Sequence, residues 1–217
     1  VQLRTRNAGI VDIAWSFGTG GVAAWFALSS HGDPTRKIAV AAIALAWGIR
    51  LGLHLTHRVM HEPEDGRYTA AREKWGINEN RNMFVFFQIQ AAWTILFALP
   101  MFAASNNSGR VWGALDFVAI AILCIALTGE GIADYQLSRF KLDPENKGKV
   151  CNVGLWNWSR HPNYFFEWIH WFAYIFFSIG GSYVWLAGLG PIVMYYFLNR
   201  VTGIPITEAR ALKSRGD

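Results

Sequence analysis

The chain is poor in charge and in sulfur. Only 16% of its 217 residues are Asp, Glu, Lys or Arg, against 53% hydrophobic. Its two cysteines, Cys124 in an apolar run and Cys151 in a polar stretch, have neither disulfide nor metal-ligand spacing and read as free thiols. No apolar run alternates with period two, which excludes half-buried strands. A secretory-signal pattern, an internal repeat and a low-complexity tract are likewise missing. Nucleic acid is excluded as a partner, because the basic residues are spread over four segments without a binding motif.

Apolar length is what the sequence does have. Six runs, at 10–28, 38–55, 83–104, 111–128, 165–179 and 183–198, approach the roughly 20 residues a helix needs to cross a bilayer. A soluble helical core of this size would be overfilled by them. They predict an all-α, polytopic transmembrane bundle with six spans, forming one domain over residues 1–217. With alternating spans, sixteen Lys and Arg residues fall on one side. Three (Arg36, Lys37 and Arg110) fall on the other, and Arg50 lies inside a span. That asymmetry assigns the loops 56–82 and 130–162 and the C-terminal tail to the cytoplasm.

Ionisable residues at membrane depth are costly and mark function. Asp12 opens the first run. Arg50 and His54 are one turn apart and share a face, as do Glu167 and His170. His54, His57 and His61 also fall on one helical face, followed by Glu62. A membrane di-iron site needs many more ligands from several helices, however, and the rest of the chain offers only His31, His161 and His170. The pattern predicts no metal site.

The densest signal runs from Gly154 to Trp168. Pro162 suits the first turn of a helix, where its missing N–H costs nothing, with Ser159 or His161 as the cap. A new helix beginning just after Arg160 and His161 predicts an anion site, with phosphate as its natural occupant. Asn163 and Glu167, four apart, share the face leading from that site into the membrane. Upstream, Glu130 and Asp134 share another face, and Lys141 follows two turns later. Carboxylates there suit ribose hydroxyls or an adenine amine, and the lysine suits a phosphate.

These blocks resemble the membrane steroid 5α-reductase family, and in particular its bacterial branch. The resemblance rests on 134–137, Phe140-Lys141, Gly154-Leu155-Trp156 and 159–167. It extends to 7–15, 54–58, Arg67-Tyr68 and Gly203-Ile204-Pro205, and so covers nearly the whole chain. It implies a seven-helix fold, with one further span before Val1 or incompletely present. It also implies a multi-pass protein of the bacterial inner membrane that binds NADPH from the cytoplasmic side. Arg58, Arg67, Asp134, Lys141, Asn163, Glu167 and Arg200 fall where that family places cofactor contacts, and Arg160, His161 and Tyr164 match the bacterial form of the motif.

The chain departs from the steroid enzymes at the substrate end. The Gln-Glu pair that follows a Trp in their early helix is replaced by Asp12, Trp15 and Ser16, and Leu55 stands where they carry a Tyr. The implied reaction is hydride transfer from NADPH to the β-carbon of an apolar enone, such as a 3-oxo-4-ene steroid or a related lipid reached from the bilayer. The protein must then place a hydrogen-bond donor at the carbonyl oxygen. Asp12, kept protonated by apolar surroundings, is the first candidate, followed by Tyr68 and His54. Two rivals remain open. One is an S-adenosylmethionine-dependent membrane methyltransferase of the isoprenylcysteine or phospholipid type, whose Arg-His-Pro-x-Tyr motif and later Glu are matched by 160–164 and Glu208. The other is a non-catalytic lipid-binding protein, which leaves Arg50 and Glu167 without a role.

Overall fold

A computed structural model describes residues 5–201 and 203–215. Arg4 and the side chains of Arg210, Lys213 and Arg215, all counted above toward the basic side, lie outside the described residues. Helices α1 (Ile10–Ser29), α2 (Pro34–His61), α3 (Gly66–Trp75), α4 (Glu79–Ser105), α5 (Ala114–Leu142), α6 (Pro162–Ser178), α7 (Val184–Tyr196) and α8 (Ile204–Arg215) account for most of the chain. Among the described residues there is no strand.

Local chemistry sets many of the boundaries. Asp33 accepts from the Arg36 backbone N–H at 3.0 Å and Pro34 starts α2, so one orphan donor is satisfied and none is lost. Asp65 caps α3 in the same way through the Arg67 N–H, and Gly76, at φ +49°, closes it. The carboxylate of Asp116 accepts from the Gly113 N–H at 2.9 Å where α5 begins. Pro162 occupies the first turn of α6, but its N-cap residue His161 makes no side-chain capping bond, and Ser159 accepts from the His161 N–H instead. The expected cap is therefore a local turn preceding the helix.

The helices reach past the predicted runs. Nothing breaks α5 between Thr128 and Asp143-Pro144, so the stretch 130–142, expected as loop, is helical. The loop 56–82 likewise holds the end of α2 and all of α3. Four stretches are long and apolar enough to cross a membrane: α1, α2, the α3–α4 stretch and α5. The fifth and sixth predicted runs form helices of 17 and 13 residues, the latter extended by a π turn at Phe197–Val201. Large apolar side chains point outward, among them Trp25, Ile38, Phe84, Phe117, Ile125 and Ile192, as lipid-facing surface requires.

Close helix contacts rely on small residues, as in membrane bundles generally. A Cβ on Gly20 would stand 2.9 Å from the Ala44 carbonyl and 3.0 Å from the Gly48 Cα, so α1 and α2 meet backbone to backbone. Gly129 leaves room on α5 for the ring of Phe166 from α6. The centre is aromatic and alanine-rich, built on Phe97, Trp171, Tyr174 and Phe177 with alanines from α1, α2 and α4.

Candidate functional site

A polar seam runs down the α5–α6 interface. At its mouth the Asn163 side-chain amide donates to Asp134 at 3.1 Å. One turn deeper, Arg50 of α2 places Nη2 2.9 Å from both carboxylate oxygens of Glu130. Glu167 lies within electrostatic reach of that pair and accepts from the Trp171 indole N–H at 3.3 Å. The sequence placed Asn163 with Glu167 and Glu130 with Asp134, each by helical spacing. The fold joins the two faces and adds Arg50, which helical periodicity could not connect to residues 80 positions away.

The second group gathers where α1 and α3 meet. Asp12 accepts from the Tyr68 hydroxyl at 2.7 Å and from Arg67 at 3.1 Å. Asp65 takes Arg67 at 3.2 Å and Arg58 at 3.1 Å. Asp12, Tyr68, Arg67 and Arg58 are thus brought together. Both oxygens of Asp12 are engaged, one by the Tyr68 hydroxyl and one by the Arg67 guanidinium. His54 stays outside the cluster and is exposed on α2, while the rings of His57 and His61 stack 4.3 Å apart.

The turn before α6 faces α8. Arg160 and His161 each approach Glu208 at 3.4 Å, and the Tyr164 and Thr207 hydroxyls are 3.0 Å apart. The two residues expected to attract an anion to this helix start are thus turned toward a carboxylate of the chain itself. Lys141 sits elsewhere, lining a cavity of about 140 Å³ at the end of α5 together with Lys147 and Lys149. Arg200 is exposed in the π turn. An apolar groove of about 580 Å³ opens on the outer side of α5. Its wall includes Gly129 and Phe166, the sequence neighbours of Glu130 and Glu167.

The opposite end of the bundle is closed by a cluster that sequence reading treated only as a sign of topology. Arg36, fully buried, binds Asp116 through Nε at 2.6 Å and Nη2 at 3.1 Å, and donates to the Asn107 carbonyl at 2.7 Å. Arg110 pairs with the same carboxylate and donates to the Ile179 carbonyl at 2.9 Å. The Asn107 amide donates to the carbonyls of Phe177 and Ile179, each at 2.8 Å. This network ties the ends of α2, α4, α5 and α6 together. The available sequence signal was an acidic residue in the first turn of an apolar helix, where a bare carboxylate is expensive without a partner.

A family model described as a protein of unknown function, DUF1295, matches residues 1–217. The chain belongs to the DUF1295 family. It is 25% identical over 234 residues to the uncharacterized protein C594.04c of Schizosaccharomyces pombe, an alignment covering 93% of this chain and 68% of that relative. No solved structure matches the chain.

Proposed function

We propose that the protein is an NADPH-dependent membrane reductase that reduces the C=C bond of an apolar enone, such as a 3-oxo-4-ene steroid, from the cytoplasmic end of an inner-membrane bundle. The observation that carries this reading is the seam from Asn163–Asp134 to Glu167 beside the Arg50–Glu130 pair. Such a concentration of ionisable groups between apolar helices supports a site for a polar occupant.

The residues suit the cofactor. Asn163 can donate and accept and Glu167 can accept, which together match a carboxamide. Lys141, Lys147 and Lys149 supply cations for phosphate at the same end of α5. Arg58 and Arg67, about a third exposed, offer further positive charge. NADPH supplies the hydride when bound. The protein's part is to fix orientation through Asn163 and Glu167, to exclude water with the aromatic core beneath them, and to hold Glu167 in place through its neighbours. The apolar groove on α5 gives a lipid-soluble acceptor a lateral approach.

The meeting of Arg160 and His161 with Glu208 favours a second reading. These residues make up the motif shared with membrane methyltransferases, and an S-adenosylmethionine-dependent enzyme would use the same end of the bundle. The nucleotide that co-purifies with the detergent-solubilised protein separates the two. NADPH supports the reductase and S-adenosylmethionine the methyltransferase. Recovery of neither, with no thermal shift from either at saturating concentration, overturns both.

A further inference from the structure

Below the charged seam lies a layer of buried polar atoms whose partners are missing. Among the described residues, Trp15 Nε1, Thr19 Oγ1 and His170 Nδ1 make no hydrogen bond. Trp47 Nε1 points toward Glu167 in a contact too loose for normal hydrogen-bond geometry. Trp47, Thr19 and His170 are at most 3% exposed. Buried polar groups are almost always satisfied, and each exception carries a desolvation cost.

Trp15, Trp47 and His170 form one patch, and Thr19 follows Trp15 by one turn of α1. The rings of Trp15 and Trp47 are 6.0 Å apart in an edge arrangement, and Trp47 and His170 are 6.5 Å apart. Phe97 and Trp171 pack against the same group. The patch has a definite depth. Trp15 is three residues into the bundle from Asp12 on α1, His170 is three in from Glu167 on α6, and Trp47 is three in from Arg50 on α2. Each helix therefore puts its unsatisfied atom about one turn beneath its own charged residue, on the same face. The two charged groups, otherwise separate, converge on this layer.

We propose that Trp15, Thr19, Trp47 and His170 form the seat for the oxygen of the apolar substrate, a ketone or enone carbonyl. Indole N–H groups only donate, so the ligand atom must be an acceptor. The Tyr174 hydroxyl lies 3.0 Å from His170 Nε2. When it donates there, Nδ1 carries the proton and becomes a third donor toward the layer. The rest of the surroundings are aromatic, which selects an apolar body around a single polar atom. In the reductase reading, on which the catalytic role rests, these donors stabilise the charge that grows on the carbonyl oxygen.

Protein carrying ¹⁵N-labelled indoles tests the seat directly. The probes are a 3-oxo-4-ene steroid and its analogue lacking the 3-oxo group, added with and without NADPH. The Trp15 and Trp47 indole signals, identified from Trp15→Phe and Trp47→Phe, should shift with the enone and not with the analogue. Trp47→Phe should weaken enone binding about tenfold, the equivalent of one hydrogen bond. Should one Phe variant fail to fold, the other still assigns the wild-type spectrum. Equal shifts with both probes, shifts with neither, or indoles that report only contact with water overturn the seat. NADPH binding without an oxygen-dependent shift removes the seat and leaves the reductase. An oxygen-dependent shift without NADPH binding does the reverse.

Discussion

Arg50 and Glu130 are 80 residues apart, yet one guanidinium nitrogen stands 2.9 Å from both oxygens of the carboxylate. The pair joins α2 to α5 at the level of Glu167, and each partner makes the other's presence in an apolar stretch tolerable. Glu130 is the more enclosed, with its side chain 13% exposed against 41% for Arg50. Arg50→Met should therefore cost more than loss of an exposed pair, about 1.5–3 kcal/mol, by leaving Glu130 without its cation. The companion change Glu130→Gln should recover part of that loss. Thermal unfolding of the two single variants and the double variant in one detergent measures the coupling, and additive losses would show that the contact is incidental.

Arg36 and Asp116 form a pair of a different kind, fully buried and away from the candidate site. Asp116→Asn leaves the guanidinium without its counter-charge and should cost about 3–5 kcal/mol. Cofactor binding per folded molecule should not change. Melting temperature and nucleotide binding measured on one preparation check both halves, and impaired nucleotide binding by the folded fraction would tie this end of the bundle to the site.

Glu167→Gln keeps size while replacing the carboxyl group beside Arg50 and Glu130 with an amide. The variant should fold, retain weak NADPH binding and lose most single-turnover hydride transfer to an enone. A carboxylate that merely holds a neighbouring helix predicts the reverse, with a lowered melting temperature and turnover per folded molecule intact. Near-normal turnover would take Glu167 out of the reaction.

Orientation is testable in a background free of Cys124 and Cys151. Single cysteines at Thr69, in α3, and at Lys147, beyond α5, lie on the basic side. Impermeant thiol reagents applied to intact cells should leave both unlabelled, and labelling of both would invert the bundle.

Helical periodicity and charge distribution were legible in the chain itself. Long apolar runs require helices because backbone groups in lipid must bond within their own segment. Spacings of three and four showed which residues share a face, so Asn163 with Glu167 and Glu130 with Asp134 could be read before any fold was known. Arg36 and Arg110, assigned to one side by alternation, do meet at one end of the bundle, on the carboxylate of Asp116. Helix ends were less legible, because α2 and α5 continue through polar residues until Glu62-Pro63 and Asp143-Pro144 stop them.

Tertiary structure decided the partners. Periodicity reports direction around one helix axis and nothing about which neighbour stands opposite, so Arg50 with Glu130, Arg36 with Asp116 and Arg160 with Glu208 emerge only once the helices pack. The same holds for Asp12. In the sequence it is a lone acid in an apolar run, and its partners Arg67 and Tyr68 come from a helix more than fifty residues away. The unsatisfied layer of Trp15, Trp47 and His170 belongs to packing as well, since an unmet hydrogen bond is a property of surroundings and not of residue type.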